Sequence, residues 1–235
     1  MRTLPLLLAA ASLVIAPATP ARAVTTIDLF EWAVNIDGGF SSPLFGDPIP
    51  AGVNVAGFDT TTGLGSISVA VSGAGAHFVG LFVDHDIDKA INTFFNEFGS
   101  ATGAPVAGES WEIDEPGFVF GDIFTNLQGN SLDNTNGVPA GSEDDVSMAL
   151  GWDYILAAGE TSAISFLVSE TMPASGFYLT QTDPDSAASI YFSSTLTIRG
   201  TGGAVIPEPG TLALYGMGLG IAGLWGVRRR RMVRL

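Results

Sequence analysis

Three aspartates alternate along one short segment, at Asp84, Asp86 and Asp88. Carboxylates at alternate positions begin a calcium-binding loop, so these side chains are candidate Ca²⁺ ligands. The rest of such a loop is missing, because Lys89 replaces the glycine that turns it and Phe95 replaces its bidentate glutamate. The alternative is that the aspartates cap a helix, and the incomplete loop favours that alternative.

Two further acidic clusters are candidates for a calcium site assembled from separate loops. The clusters are Glu112, Asp114 and Glu115, and then Glu143, Asp144 and Asp145. The alternative is a solvated acidic surface, which is the commoner arrangement for exposed carboxylates. We therefore predict no cofactor, with Ca²⁺ as the one alternative left open.

Residues suited to other catalytic chemistry are few. The chain has no cysteine and two histidines, His77 and His85. It lacks the motifs of serine hydrolases, zinc proteases and phosphate-binding loops. His85 has no nucleophile beside it, so a surface histidine is the favoured interpretation. A glycosidase needs only two carboxylates, yet nothing in the sequence selects a pair, and we predict that the protein is not an enzyme.

Three tryptophans are candidates for stacking against sugar rings: Trp32, Trp111 and Trp152. Trp152 lies on the apolar side of a predicted strand, which indicates core packing. Trp111 lies among acidic residues and is the better candidate for a sugar platform, although core packing is favoured there too.

Short strands are the elements that must position these side chains. Between Val146 and Leu156 every even-numbered residue is apolar, and this period of two predicts a half-buried strand. Similar alternation predicts strands within 30–36, 67–71, 164–168 and 190–198. Turn signals separate these segments, and residues 129–145 are predicted to form a polar surface loop. The fold class is therefore all-β, an antiparallel β-sandwich or jelly roll.

One segment has helical spacing instead. Its apolar residues recur at helical intervals, at Ile87, Ile91, Phe94, Phe95 and Phe98. The spacing predicts a short helix over the sandwich, with Asp84 or Asp86 capping its start and Gly99 its end.

The segment 24–204 is strongly acidic. It contains all but one of the 24 acidic residues and only two basic residues, Lys89 and Arg199. This charge excludes nucleic acid as a natural partner and disfavours contact with anionic lipid. Residues 24–204 are predicted to form a single secreted ectodomain.

The N-terminus has the layout of a secretory signal peptide. Arg2 precedes an apolar run, and Ala21 and Ala23 are the small residues that signal peptidase recognises. We predict that residues 1–23 are the signal peptide, that signal peptidase cleaves after Ala23, and that the chain is exported.

Residues 205–235 combine three features. Pro207, Glu208 and Pro209 form a segment that two prolines hold extended. Residues 211–227 carry no charge. As a helix they would be about 26 Å long, which is at the short end of the lengths that span a bilayer. The basic tail, 228–235, begins with Arg228, Arg229, Arg230 and Arg231. Because clustered arginines stay in the cytoplasm, we predict a single transmembrane helix with the ectodomain facing the periplasm.

This combination closely resembles the PEP-CTERM sorting signal of Gram-negative bacteria. The resemblance implies that Pro207, Glu208 and Pro209 are the recognition motif and that Arg228 to Arg231 are the stop signal. It also implies cleavage by exosortase, a membrane enzyme with a cysteine nucleophile. The same tail family is also labelled an ice-binding protein C-terminal domain, but the chain lacks the regular threonine array that ice binding needs.

The stretches SWEIDEPGFVFGD and SEDDVSMALGWD resemble the ectodomain of a set of PEP-CTERM proteins with no established activity. We expect a non-enzymatic secreted or cell-surface protein associated with the extracellular matrix or exopolysaccharide. The alternative is a calcium-assisted, lectin-like carbohydrate-binding module. The precursor is expected in the inner membrane transiently, before it reaches the cell surface or the medium.

Overall fold

A computed structural model describes residues 25–90 and 93–200. Within these residues the chain forms eleven β-strands and one α-helix. The strands are β1 (Ile27–Ile36), β2 (Gly39–Ser41), β3 (Val53–Phe58), β4 (Gly65–Ser72), β5 (Gly75–Ile87), β6 (Phe98–Thr102), β7 (Glu109–Asp114), β8 (Ser147–Leu156), β9 (Glu160–Ser169), β10 (Tyr178–Asp183) and β11 (Ala188–Gly200), and helix α1 is Ile123–Gln128.

The strands of the described residues form two antiparallel sheets. One has five strands in the order β2-β1-β5-β8-β7, and the other has six in the order β3-β4-β9-β11-β10-β6. Side chains from both sheets form one core, among them Trp32, Leu81, Leu150, Ile67, Phe166 and Phe192. The predicted antiparallel β-sandwich with one short helix is confirmed.

Helix α1 covers part of the outer face of the five-stranded sheet. Its Ile123 and Leu127 pack against Phe78 and Phe82 of β5, away from the main core. The buried Asn35 of β1 ties the helix to the sheet, because its Nδ2 donates to the Leu127 carbonyl at 2.7 Å. The helix leaves one end of this face uncovered, and the candidate site lies there.

The predicted strands are confirmed, and the apolar residues alternate because successive side chains of a strand point to opposite faces of the sheet. In β8, Met148, Leu150 and Trp152 face the core, whereas Ala149 faces the outer layer under α1. The segments 30–36, 67–71, 164–168 and 190–198 lie within β1, β4, β9 and β11.

The predicted helix over 87–98 is wrong for the described residues of that range, 87–90 and 93–98, and so is the helix-capping role of its aspartates. Strand β5 continues through Asp84 and Asp86 to Ile87, paired with β1 and β8, and β6 begins at Phe98. The apolar residues share a helical interval by coincidence, since Ile87 is fully buried whereas Phe95 is exposed. The helix that does form, α1, is six residues long and too short to show a periodic pattern.

The predicted loop over 129–145 carries no named strand or helix, yet it is fixed to the sandwich by three isolated bridges. They join Asn136 to Ile113, Pro139 to Gly99, and Asp144 to Glu97. Asp144 is thereby held above the uncovered end of the five-stranded sheet.

The predicted targeting segments lie outside the described residues. These are the signal peptide with Ala21 and Ala23, and the tail with Pro207, Glu208, Pro209 and Arg228 to Arg231. In the parts that are described, 25–90 and 93–200, no helix has both the length and the apolar character that crossing a membrane requires.

Candidate functional site

A cleft of about 780 Å³ opens on the uncovered end of the outer sheet face. Its floor is acidic and contains Asp84, Asp86, Glu115, Asp144 and Asp145. Its rim is apolar and contains Phe30, Phe94, Phe95, Phe118, Val119 and Phe120. We call this feature the acidic cleft. It combines carboxylates, which suit calcium, with aromatic rings, which suit sugars.

Strand periodicity places the floor aspartates on the outer face. Leu81, Val83 and Ile87 of β5 enter the core. The intervening residues of β5, including Asp84 and Asp86, therefore point to the opposite face, where Phe82 packs against α1. The first two aspartates of the predicted calcium motif thus line the acidic cleft.

Asp88 does not join them. It follows the last residue of β5 and has a left-handed backbone conformation, with φ of 55°. Asp88 is not one of the residues that line the cleft. Its Oδ1 accepts hydrogen bonds from the Thr26 amide at 2.5 Å and the Thr26 hydroxyl at 3.3 Å. Asp88 therefore closes the N-terminal end of β1 against β5, and Asp84 and Asp86 face Asp145 instead.

Burial and like charges dominate the electrostatics of the floor. Asp84 is 2% exposed. Its pKa is raised well above the ordinary value, first by burial and then by the charges of Asp145, Asp86, Glu31 and Glu97. Burial likewise raises the pKa of Asp145 to about 7, with Asp86, Asp144 and Glu115 adding to it. The floor is therefore short of compensating positive charge.

Among the described residues, one basic side chain, that of Lys89, lines the acidic cleft. Lys89 Nζ lies 2.9 Å from Asp86 Oδ2 and 3.7 Å from Asp28 Oδ2. The hydrogen bond to Asp86 raises the pKa of Lys89, so the ammonium stays charged. Because Lys89 contacts Asp86 and Asp28, Asp84 and Asp145 lack a cationic partner among the described residues.

The rim exposes an unusual amount of aromatic surface. Phe95, Phe118 and Phe120 are 56%, 58% and 67% exposed. The rings of Phe94 and Phe95 lie 3.9 Å apart, and Phe118 meets Phe30 edge-on at 5.7 Å. A contiguous exposed apolar surface around an opening marks a binding site more often than it marks an incidental surface feature.

Two buried polar residues lie behind the floor. Glu97 accepts a hydrogen bond from the Ile87 amide at 2.7 Å and another from Gln181 Nε2. Burial raises the pKa of Glu97 to about 8. His85 is fully buried on the core side of β5, where burial lowers its pKa to about 4. The prediction of a surface histidine is therefore wrong, and His85 stays neutral as part of the core.

A second carboxylate group joins β7 to α1. Carboxylate oxygens of Glu112, Asp114 and Asp122 lie within 4.8 Å of one another. They already have partners, because Asn126 Nδ2 donates to both Glu112 and Asp122 at 3.0 Å and the Asp122 amide donates to Asp114 at 2.8 Å. The hydrogen bonds of this group therefore connect β7 to α1. Glu115, which the sequence grouped with it, lies in the acidic cleft.

The tryptophans do not form a platform. Trp32 and Trp152 are buried, and the half-buried Trp111 packs against Phe177 with ring centroids 5.9 Å apart. The aromatic side chains of the rim are phenylalanines, which were not predicted to be site residues. The apolar run Phe118-Val119-Phe120, directly after the turn at Pro116 and Gly117, was the available signal.

The tail of the chain matches a family model. Residues 205–231 match the PEP-CTERM protein-sorting motif, a range that includes Pro207, Glu208, Pro209 and Arg228 to Arg231. No curated protein and no solved structure matches the chain. The motif supports export and sorting to the cell surface, with exosortase as the processing partner. The chain is therefore a PEP-CTERM domain-containing protein.

Proposed function

We propose that the ectodomain is a non-enzymatic binding domain that attaches to matrix polysaccharide through the acidic cleft after exosortase has processed the tail. The observation that carries this proposal is the ring of exposed phenylalanines around an acidic floor. Aromatic faces stack against the apolar faces of sugar rings, and carboxylates accept hydrogen bonds from sugar hydroxyls. The two side-chain classes meet in one cleft.

The half-buried carboxylates are the ones that reach a sugar. Glu115 and Asp144 retain surface in the cleft, whereas Asp84 and Asp86 are buried beneath it. The acidic body repels uronic acids and sulfated sugars, so the favoured ligand is a neutral polysaccharide. Asp84 and Asp86 present almost no surface to a glycosidic oxygen, which supports binding without hydrolysis.

The test is binding of neutral oligosaccharides to the full chain in lipid nanodiscs. We expect Phe95→Ala and Phe118→Ala each to weaken binding by roughly tenfold, since truncating a central aromatic contact removes more than about 1 kcal/mol. Ile155→Ala is the matched control, because Ile155 is 74% exposed and is not one of the residues that line the cleft. Absence of binding, or equal loss in the control, would contradict the proposal. Release of new reducing ends would contradict its non-enzymatic part.

A further inference from the structure

Four buried oxygen atoms, two on residues that line the acidic cleft and two on the strand neighbours of Asp84, lack hydrogen-bond partners among the described residues. They are Glu31 Oε2, Asp84 Oδ1, Asp145 Oδ1 and Ser147 Oγ. A buried polar atom without a partner costs about 1–3 kcal/mol, and an unpaired charge costs more. Native proteins seldom leave several such atoms in one place, so a missing ligand is the physical explanation to consider.

Strand register brings these atoms to one place. Asp84 of β5 is paired with Glu31 of β1 on one side and with Ser147 of β8 on the other. Directly opposed residues point to the same face with Cβ atoms about 5 Å apart. Asp145 stands two residues before Ser147 and lines the same cleft as Asp84. Three strands and the end of one loop therefore converge on Asp84.

The chemistry of these atoms favours a hard divalent cation. All four are oxygens, and three belong to carboxyl groups, of which Asp145 and Glu31 raise the pKa of Asp84 through their charges. Oxygen-only sets with several carboxylates suit Ca²⁺, whereas zinc and copper sites use nitrogen or sulfur. The one nearby imidazole, His85, points to the core side of β5.

We propose that Ca²⁺ binds at the floor of the acidic cleft, held by Asp84, Asp145 and Glu31, with the Ser147 hydroxyl beside them. Asp86 stays with Lys89 at the edge of this site. Asp88 takes no part, so the ligands come from separate strands and not from one continuous loop. The site does not depend on the polysaccharide proposal, because it is argued from the unpartnered oxygens and the strand register, neither of which involves a sugar.

The test compares thermal unfolding of the full chain in nanodiscs with Ca²⁺ and with a chelator. A tenfold excess of Ca²⁺ over its Kd should raise the midpoint of the wild-type protein by about 4 °C. Asp84→Asn removes the cost of burying an acidic group, so its midpoint in chelator should exceed that of the wild type and should not respond to Ca²⁺. A higher midpoint in chelator together with a lost Ca²⁺ response distinguishes a cation ligand from a residue with a purely structural role.

Asp122→Asn is the matched control from the second carboxylate group, and it should keep the wild-type response. Isothermal titration of the wild type should show one Ca²⁺ per chain. The proposal is overturned if Ca²⁺ neither raises the wild-type midpoint nor gives binding heat. It is also overturned if Asp122→Asn alone loses the response, or if all three proteins respond equally.

Discussion

Gln181 donates a hydrogen bond from its Nε2 to the backbone oxygen of His85 at 2.6 Å. Gln181 belongs to β10 of the six-stranded sheet and His85 to β5 of the five-stranded sheet, so the bond joins the two layers. The same amide also donates to Glu97. This fully buried glutamine therefore holds together the elements that lie behind the acidic cleft.

Replacing this glutamine should destabilise the ectodomain. Gln181→Ala leaves the His85 carbonyl and one Glu97 oxygen without a donor in the core, and we expect a loss of about 3 kcal/mol in the free energy of unfolding. Chemical denaturation of the full chain in nanodiscs measures this loss. Met172→Ala, at an exposed side chain, is the control, and a comparable loss there would contradict the assignment.

Stability should fall as pH rises from 6.5 to 8.5. Burial raises the pKa of Glu97 to about 8 and of Glu112 to about 7. In this window the unfolded chain has released these protons while the folded chain still holds them, so each step upward in pH favours unfolding. We expect a loss of about 2 kcal/mol, levelling off above the folded pKa of Glu97. Below pH 6.5 the buried His85 acts in the opposite direction, since only the unfolded chain protonates it.

The slope of this profile identifies the groups responsible. Glu97→Gln should make the loss between pH 6.5 and 8.5 clearly smaller, whatever its effect on absolute stability. Glu170→Gln, at an exposed position, should keep the wild-type slope. A wild-type stability that rises with pH across this window would contradict the burial of a protonated Glu97.

Gly63 should tolerate no side chain. Its φ is +68°, and a Cβ added there would lie 2.1 Å from His85 Nε2. Gly63→Ala should therefore cost more than about 3 kcal/mol, because the clash with a buried ring adds to the backbone strain. Gly38→Ala isolates the strain alone, since Gly38 has φ of +83° and open space around its Cβ position. Equal losses in the two variants would show that His85 is not packed against Gly63.

Lys89 should compete with a bound cation. Its ammonium is partly exposed and contacts Asp86 at 2.9 Å, so removing it should raise the affinity for Ca²⁺ by about threefold. Titration calorimetry of Lys89→Met provides the measurement. Arg199→Met is the matched control, because Arg199 lies at the far end of β11 and outside the residues that line the cleft. Ca²⁺ binding to Lys89→Met that is no tighter than binding to the wild type would place the cation away from Lys89.

The strands were predictable because one side of each faces the core. In β8, the alternation of large apolar residues arises because Met148, Leu150 and Trp152 face the core, whereas the small Ala149 faces the outer layer under α1. The prediction over 87–98 failed because local spacing resembled a helix, while β5 gained its partners from β1 and β8. Pairing between strands distant in sequence decided this segment, and periodicity contains no information about it.

The acidic cleft was only partly predictable. The sequence shows that Asp84, Asp86 and Asp145 are acidic, but their convergence depends on the β5–β8 register, which joins residues about sixty positions apart. The phenylalanine rim was missed because an apolar run such as Phe118-Val119-Phe120 ordinarily predicts burial. Only the fold shows that these rings remain exposed around an opening.

The PEP-CTERM tail should deliver this acidic ectodomain to the cell surface. Mass spectrometry of the protein's C-terminus, from fractionated cells that contain exosortase, tests this delivery most directly. We predict a surface form that has lost the segment 211–235, and full-length precursor in the inner membrane when Pro207, Glu208 and Pro209 are replaced by alanine. A wild-type chain that retains Leu235 in every fraction would contradict the account.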